Sequence, residues 1–514
     1  MTSLTKKINI LSNEEVRTRI APSPTGPFHI GTARTALVNY LFTKKYNGTF
    51  ILRIDNTDID RSDEKFEKDI IDGLNWLGIK YDEGVGAGGE FGPYRQTERS
   101  FIYNKYIKKL LDEKKAYLCF CAEDELRAQH ESMLASGFSP KYSGKCRNLS
   151  ENEILQNNKD GKNSIIRLIV AEKKIFFNDI IRGKIEFDSS LLGDFPIAKG
   201  IDLPLYNFAS TVDDYEMKIT HVIRGEDHIS NTPKQIIIQE ALEFTRPQYA
   251  HLPLILSPDR TKLSKRNAVV SIEDYKNQGY LPEALINFMA FLGWNPGDER
   301  EFFSIESLIK EFDLSRIQKS GAIFNIKKLE WLNSYYIRKT SPQKLFEQCI
   351  GYLIKDGLLK INSDNEYVNN DGEIVDVSFI TKALMMEQER LKKLDDTSEQ
   401  LSYVFQKNID FDPSLLIWKN MTKVELTDSL NEARELIKTL SLEDLEKNRL
   451  KDILTERAKK INSENMGFFL WPLRVALSGR KSSPSPFEII EVLGVEKTLY
   501  RIQNALQKAE TLQK

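Results

Sequence analysis

The sequence predicts an α/β fold: a parallel sheet wrapped by helices, interrupted by an α+β insertion and followed by an all-α region. Three observations carry this. Strand and helix signals alternate over the first 120 residues, the pattern of strands joined by helical crossovers. From about Cys121 to Gly200 the sequence turns polar and lysine-rich, with loops such as "NNKDGKN", before strand–turn–helix resumes. Beyond about residue 270 apolar residues recur at helical spacing, and from about 340 to the end helices separated by polar turns dominate.

The elements follow in order. "VRTRIAP" is a short strand stopped by Pro22, because the residue before a proline is driven from helical geometry. Ala33, Ala36, Leu37, Tyr40 and Leu41 then recur at helical spacing. "GTFILRI" reads as the next strand, and "DEKFEKDIIDGLNWLGI" as an amphipathic helix ending near Gly78. "RQTERSFIYNKYIKKLLDEKKA" is a further helix and "AYLCFC" a further strand of the same alternation. "SIIRLIV" and "KIFFNDIIRGKIEF" are strand pieces within the insertion, and "PLYNFASTVDDYEMKITHVIRGEDHISNTPKQIIIQEAL" resumes the α/β pattern. "PEALINFMAFLGW" opens a helix with proline, where its missing N–H costs nothing. The expected divisions are 14–120 and 201–270 for the two halves of the sheet domain, 121–200 for the insertion, 271–340 for a connecting region and 341–514 for the helical region.

Composition narrows the function. The chain has 514 residues, 40% hydrophobic and 10% aromatic, enough for several folded domains. Its net charge is −2, so any nucleic acid must be met by local basic patches rather than by a global positive field. Four cysteines in so long a chain argue against an oxidising compartment. No apolar run approaches the ~18 residues that cross a bilayer. The first residues lack the long apolar core of a signal peptide. A cytoplasmic protein with a short loose N-terminal extension and no membrane partner is expected.

Two motifs carry chemistry. In "SPTGPFHIGTARTALVNYLF", Ser23 to Phe42, a proline–glycine turn brings His29 and Gly31 to the mouth of a helix. Helix N-termini offer unpaired N–H groups and partial positive charge, where phosphates settle. A strand-to-helix turn whose histidine merely caps or packs fits the same residues. The second motif, "RTKLSKRNAV", holds Arg260, Lys262, Lys265 and Arg266 within seven positions. Such cations suit the charge of a triphosphate transition state, and a solvated basic loop is the plainer alternative.

The pair "HIGT" and "KLSKR" resembles the two signatures of class I aminoacyl-tRNA synthetases. "RIAPSPTGPFHIGTARTAL", "GPYRQTER", "YNFASTVDDYEMKITHVIRGEDHISNTPKQ", "AHLPLILSPDRTKLSKR" and the tail "WPLRVALSGRKSSPSPFEIIEVLG" resemble bacterial-type glutamyl-tRNA synthetases. The resemblance runs from about Val16 to the end of the chain. Thr32, where most of the class carries histidine, is usual in the glutamyl branch.

The resemblance implies a Rossmann-like catalytic domain, an insertion that holds the tRNA acceptor end, a stem-contact connecting region and an all-α anticodon-binding region. It implies L-glutamate, ATP with Mg2+ and tRNA(Glu) as substrates, and a monomer. On its terms His29, Lys262, Lys265 and Arg266 are catalytic, and His29, Gly31, Thr32 and Lys265 bind ATP. Arg19, Ala21, Ser23, Asp55, Tyr206, Ser210 and Arg224 surround glutamate. Asp55 departs from the family's usual "RIEDTD", because "RIDNTD" shortens the acid by one methylene; a turn-capping aspartate is its plainer role.

Cys119, Cys121 and Cys146 resemble the zinc site of some members, with Asn148 where a histidine ligand would fall and Tyr142 as a substitute oxygen donor. Small buried thiols are the alternative. In the tail, Trp471 and Leu473 are expected in the core, and Arg480 and Lys481 exposed toward RNA. Charging of tRNA(Gln) as well, or a degenerate tRNA-binding paralogue, are the competing functions.

Overall fold

The computed structural model describes residues 15–263 and 271–512. They form two compact units: one runs to Lys276 and includes Pro282–Leu329, and the other joins Asn277–Leu281 to Glu330 onward.

In the first unit, β1 (Arg17–Ile20) is followed by α1 (Ile30–Lys45), β2 (Thr49–Leu52), α2 (Glu64–Trp76), β3 (Glu83–Gly84) and α3 (Ser100–Asp112). β1, β2 and β3 pair in parallel in that order. The insertion supplies β4 (Ala116–Cys119), α4 (Glu123–Ala135), α5 (Glu151–Lys159), β5 (Ile165–Leu168), β6 (Lys174–Asp179), β7 (Gly183–Asp188), β8 (Pro196–Gly200) and β9 (Leu203–Pro204). Then come α6 (Tyr206–Glu216), β10 (His221–Gly225), α7 (Thr232–Leu242), β11 (Gln248–Leu252) and β12 (Ile255–Leu256).

β10 and β11 are parallel, and β10 lies beside β1, where Thr220 N–H donates to Arg17 O at 3.0 Å. The chain therefore leaves β1 toward β2 on one side and returns as β10 on the other. Ligands settle in the crevice outside such a reversal, at the carboxyl ends of the strands. The sheet core is apolar on both faces, with Phe50, Ile51, Leu52, Val222 and Ile223 buried, as helices on both sides require.

Three details differ from the sequence reading. β4, "AYLC", pairs antiparallel with β5 in a separate insertion sheet, β4–β5–β8–β9, rather than extending the parallel one. A four-residue strand carries no sign of its direction, and its partner lies more than forty residues on. The β6–β7 hairpin leaves the insertion and joins the edge of β11, through Tyr249 opposite Asp179. The span 271–340 does not stand apart: α8 (Ile272–Asn277) returns beside the α1 turn through Ile272 N–H to Phe28 O at 2.9 Å. Helices α9 (Pro282–Phe291) and α10 (Ile305–Glu311) pack on α1, and β13 (Ala322–Ile323) pairs with β12.

The second unit is helical, with helices at Pro342–Lys355, Val377–Glu387, Asp396–Phe405, Lys423–Lys438, Lys447–Ile461, Gly467–Ser478 and Pro486–Glu510. The last bends at Gly494, whose φ of 75° interrupts the helix. One hairpin departs from the all-α expectation. Leu359–Ile361 pairs with Tyr367–Asn369 across a turn in which Asn365 takes φ 62°, a left-handed geometry that asparagine tolerates. Leu473 is buried, and Trp471 donates from Nε1 to Leu415 O at 2.8 Å while packing on Trp418. Lys481 is exposed. Arg480 is not the free cation expected: it bonds Gln400 O at 3.2 Å and Ser402 Oγ at 3.0 Å and covers the Tyr403 ring.

Candidate active site

A cavity of about 540 Å³ opens between the carboxyl ends of β1 and β10, a volume in the ordinary range for a small-molecule site. Arg19, Ala21, Ser23, His29, Gly31, Thr32, Asp55, Tyr206, Ser210, Arg224 and Lys262 all line it. Residues up to 243 positions apart in the chain thus converge as the motifs predict. Lys265 and Arg266 lie outside the described residues. Their flanks are placed: Leu263 lines the cavity, and Ser271 pairs with His29 in an isolated bridge.

His29 is the N-cap of α1. Its Nδ1 accepts the N–H groups of Gly31 at 3.1 Å and Thr32 at 3.3 Å, and Nε2 stands 3.1 Å from Thr32 Oγ1. An Nδ1 that accepts leaves the ring proton on Nε2. The imidazole therefore caps two amides of the kind that anions seek at a helix start, and an arriving phosphate competes with it for them. A Cβ at Gly31 would stand 3.1 Å from the His29 ring, which explains the glycine.

Behind the turn lies a buried ionic cluster. Arg19 binds both oxygens of Asp214, at 3.0 and 3.3 Å. Arg53 binds both oxygens of Asp55, at 2.6 and 3.1 Å, reaches Asp214 at 2.7 Å and donates to Ser210 Oγ at 3.3 Å. Deeper still, Asp213 takes bonds from Arg99 at 2.6 Å, Gln96 at 2.8 Å and the Tyr103 hydroxyl at 2.9 Å. Asp55 is thus neither a turn cap nor a free acid. Burial pushes it up to about 6, and Arg53 keeps it ionised at neutral pH.

Arg224, on β10, is held otherwise. It is buried, and burial lowers its pKa. Its Nε donates to His251 Nε2 at 3.3 Å and its Nη2 to Thr232 Oγ1 at 2.9 Å, while the buried Nη1 meets no acceptor among the described residues. Beside it, Tyr206 Oη lies 3.1 Å from His228 Nδ1; burial, then the Arg224 charge, brings His228 down to about 4. Arg34, on α1, also lines the cavity: Nη1 donates to Pro253 O at 2.6 Å, and burial lowers it to about 10. At the mouth, Lys262 faces Asp227 at 3.5 Å. The lining cations Arg19, Arg34, Arg224 and Lys262 face the carboxylates Asp55 and Asp227. The cavity therefore favours anions.

Sequence reasoning missed Arg34, Arg53, Asp213, Asp214 and Asp227. Adjacent acids inside the apolar run "FASTVDDYEM" were the available signal for the aspartate pair, since carboxylates are buried only when paired.

In the insertion, the sulfurs of Cys119, Cys121 and Cys146 lie within 4.8 Å of one another, with Cys121 and Cys146 at 3.6 Å. Tyr142 Oη is 3.4 Å from both Cys119 and Cys121. A tetrahedral zinc with ~2.3 Å sulfur bonds sets sulfurs about 3.8 Å apart, so three thiolates and one oxygen fit. Arg167 covers the Tyr142 ring at 4.0 Å and offsets surplus negative charge.

Comparison with known proteins agrees with this geometry. Residues 15–331 match the family model "tRNA synthetases class I (E and Q), catalytic domain", and residues 344–506 match "Anticodon binding domain". The cavity and fold are therefore those of a class I tRNA synthetase. The chain is 42% identical over 495 residues to a glutamate–tRNA ligase of Carboxydothermus hydrogenoformans, covering 95% of this chain and 99% of that one. It is 43% identical over 494 residues to glutamate–tRNA ligase 1 of Caldicellulosiruptor saccharolyticus, covering 95% and 98%. A crystal structure of a glutamate tRNA ligase from Elizabethkingia meningosepticum, in complex with its amino acid, superposes with a TM-score of 0.84 at 34% identity, covering 97% of this chain and all of that one. The chain belongs to the glutamate–tRNA ligase family.

Proposed function

We propose that this protein activates L-glutamate with ATP and transfers it to tRNA(Glu), acting as a monomer. The observation that carries the reading is Arg224, a buried cation without a carboxylate partner among the described residues, in the cavity beside the α1 turn. A buried unpaired charge costs several kcal/mol unless a ligand offsets it. The side-chain carboxylate of glutamate is such a ligand, and glutamine, neutral there, is not. Arg19, whose charge is shared with Asp214, adds a donor, while Tyr206 and Ser23 add hydroxyls. Asp227 supplies negative charge for the ammonium, with Asp55, whose charge is shared with Arg53, adding to it.

Both reacting groups are anionic. A carboxylate oxygen of glutamate attacks the α-phosphorus of ATP, forming the mixed anhydride as the bond to pyrophosphate breaks. The terminal ribose hydroxyl of tRNA then attacks the carbonyl carbon, loses its proton, and AMP departs. Catalysis here is positioning and charge stabilisation. His29 and the amides of Gly31 and Thr32 receive phosphate oxygens. Lys262, and Lys265 and Arg266 beyond it, offset charge on the leaving pyrophosphate. Magnesium enters on the nucleotide, neutralising its phosphates.

Charging of purified tRNA(Glu) with labelled glutamate tests the reading. Wild type charges it, and Lys265→Ala loses ~10²–10³-fold in rate. Equal rates for the two would remove the catalytic assignment. We also assign zinc to Cys119, Cys121, Tyr142 and Cys146, where it ties β4 to the loop after α4. Metal analysis should find one zinc per chain, released by chelation with a lower melting temperature; protein purified without chelator and free of zinc excludes the site.

A further inference from the structure

Beneath Arg224 lie three polar groups that the reaction above does not use: Asp179, His251 and Thr232. Arg224 and His251 are register partners on the parallel strands β10 and β11, and Asp179 closes β6 at the edge of β11. All four are buried. Asp179 Oδ2 is 2.6 Å from His251 Nδ1, and His251 Nε2 is 3.3 Å from Arg224 Nε and 3.1 Å from Thr232 Oγ1.

We propose that Asp179, acting through His251, is a positioning residue that aims Arg224 at the substrate carboxylate without neutralising it. This rests on the reading of Arg224 as the receptor for glutamate.

The direction of each bond follows from what each group can do. Asp179 Oδ1 accepts the backbone N–H groups of Ile181 at 3.0 Å, Arg182 at 2.8 Å and His251 at 3.3 Å. That fixes the carboxylate, so Oδ2 must face the ring. An ionised carboxylate only accepts, so His251 Nδ1 carries the proton and Nε2 presents a lone pair. Arg224 Nε–H donates into that lone pair. Burial, with the Arg224 charge adding to it and Asp179 opposing it, lowers the pKa of His251 and so favours the neutral ring that this chain requires.

The consequence is a guanidinium held along one edge by neutral acceptors. A carboxylate placed directly on Arg224 would orient it equally well and would cancel its charge, as Asp214 does for Arg19. Interposing an imidazole keeps the aspartate's orienting effect and moves its charge one ring away.

Asp179→Asn tests this sharply. Only the amide oxygen can accept the three backbone N–H groups, so the NH₂ is forced toward His251 Nδ1. The ring must then accept there and carry its proton on Nε2, facing the Arg224 N–H donor to donor. The expected result, in ATP–pyrophosphate exchange, is a KM for glutamate raised about ten- to a hundredfold, with the KM for ATP unchanged. A merely structural role would move both constants together or neither, and that overturns the proposal.

Imidazole nitrogen NMR reads the tautomer in the wild-type protein itself. The chain has five histidines, and His251→Gln identifies the resonance. Wild type should show His251 protonated at Nδ1 alone; a proton on Nε2 at neutral pH contradicts the proposal. Arg224→Gln, run alongside, separates the two readings. If it leaves the KM for glutamate unchanged, the assignment of Arg224 fails. If it raises KM while Asp179→Asn does not, only the positioning role fails.

Discussion

The buried arginines that line and back one cavity are held by opposite means on its two sides. On the β1–β2 side, Arg19 and Arg53 are locked to Asp214 and Asp55 by two-pronged ion pairs. On the β10–β11 side, Arg224 rests on a histidine and a threonine. The first arrangement is satisfied without a ligand, whereas Arg224 keeps an Nη1 with no acceptor among the described residues. On the proposed reading the paired charges build the floor of the site, and Arg224 receives the substrate carboxylate.

The largest effect that tests this contrast should come from the paired side. Arg53→Met strands Asp55 and Asp214 in the interior with one cation removed, and breaking a buried pair costs about 3–5 kcal/mol. Urea denaturation should show that loss, with glutamate unable to restore it. A change under 1 kcal/mol would mean that the cluster is not the floor.

Protons distinguish the sides next. His228, beside Arg224, is held down to about 4, below its ordinary 6.5. Its contribution to stability is present above pH 6.5 and is lost as pH falls toward 4, by about 3 kcal/mol. Asp55, pushed up from 3.8 to about 6, acts in the opposite sense: its contribution is present below 3.8 and is lost as pH rises through 6. The two nearly cancel. His221, also lowered to about 4 by burial, adds to His228, and Glu387, raised to about 7 by burial, adds to Asp55. The group is therefore isolated by substitution: His228→Gln should narrow the stability lost between pH 6.5 and 4, relative to wild type, by about 3 kcal/mol, measured by denaturant titration at both pH values. An unchanged difference would contradict the assignment.

A smaller effect belongs to the turn. His29→Ala removes the cap of α1 and should cost about 1 kcal/mol. His29→Asn keeps a capping oxygen, so it should restore the melting temperature while leaving glutamate activation slow. Full recovery of both by asparagine would make His29 a cap and nothing more.

The legibility of the site in the sequence follows the range of the interactions. The His29–Gly31–Thr32 turn was readable because its parts are adjacent, and Lys262 because its motif is compact. The α/β alternation was readable because strand and helix periods are local. The ionic floor was not, because Arg19 and Asp214 are 195 residues apart and the sequence does not state their pairing. Asp179 was hidden for the same reason, since it sits in an insertion hairpin whose docking on β11 is tertiary. The hairpin at 359–369 was missed because three-residue strands around a polar turn carry too few apolar positions to show a period of two.

The contrast between the two sets of arginines rests most directly on one measurement: glutamate binding by calorimetry to Arg224→Gln and Arg19→Gln, with melting temperatures recorded on the same samples. Arg224→Gln should lose most of its affinity, by about 2–3 kcal/mol, with stability equal to or above wild type because the uncompensated buried charge is gone, and Arg19→Gln should lose more stability than affinity. Equal affinity losses, or the reverse ranking, would contradict the division between paired floor and unpaired receptor.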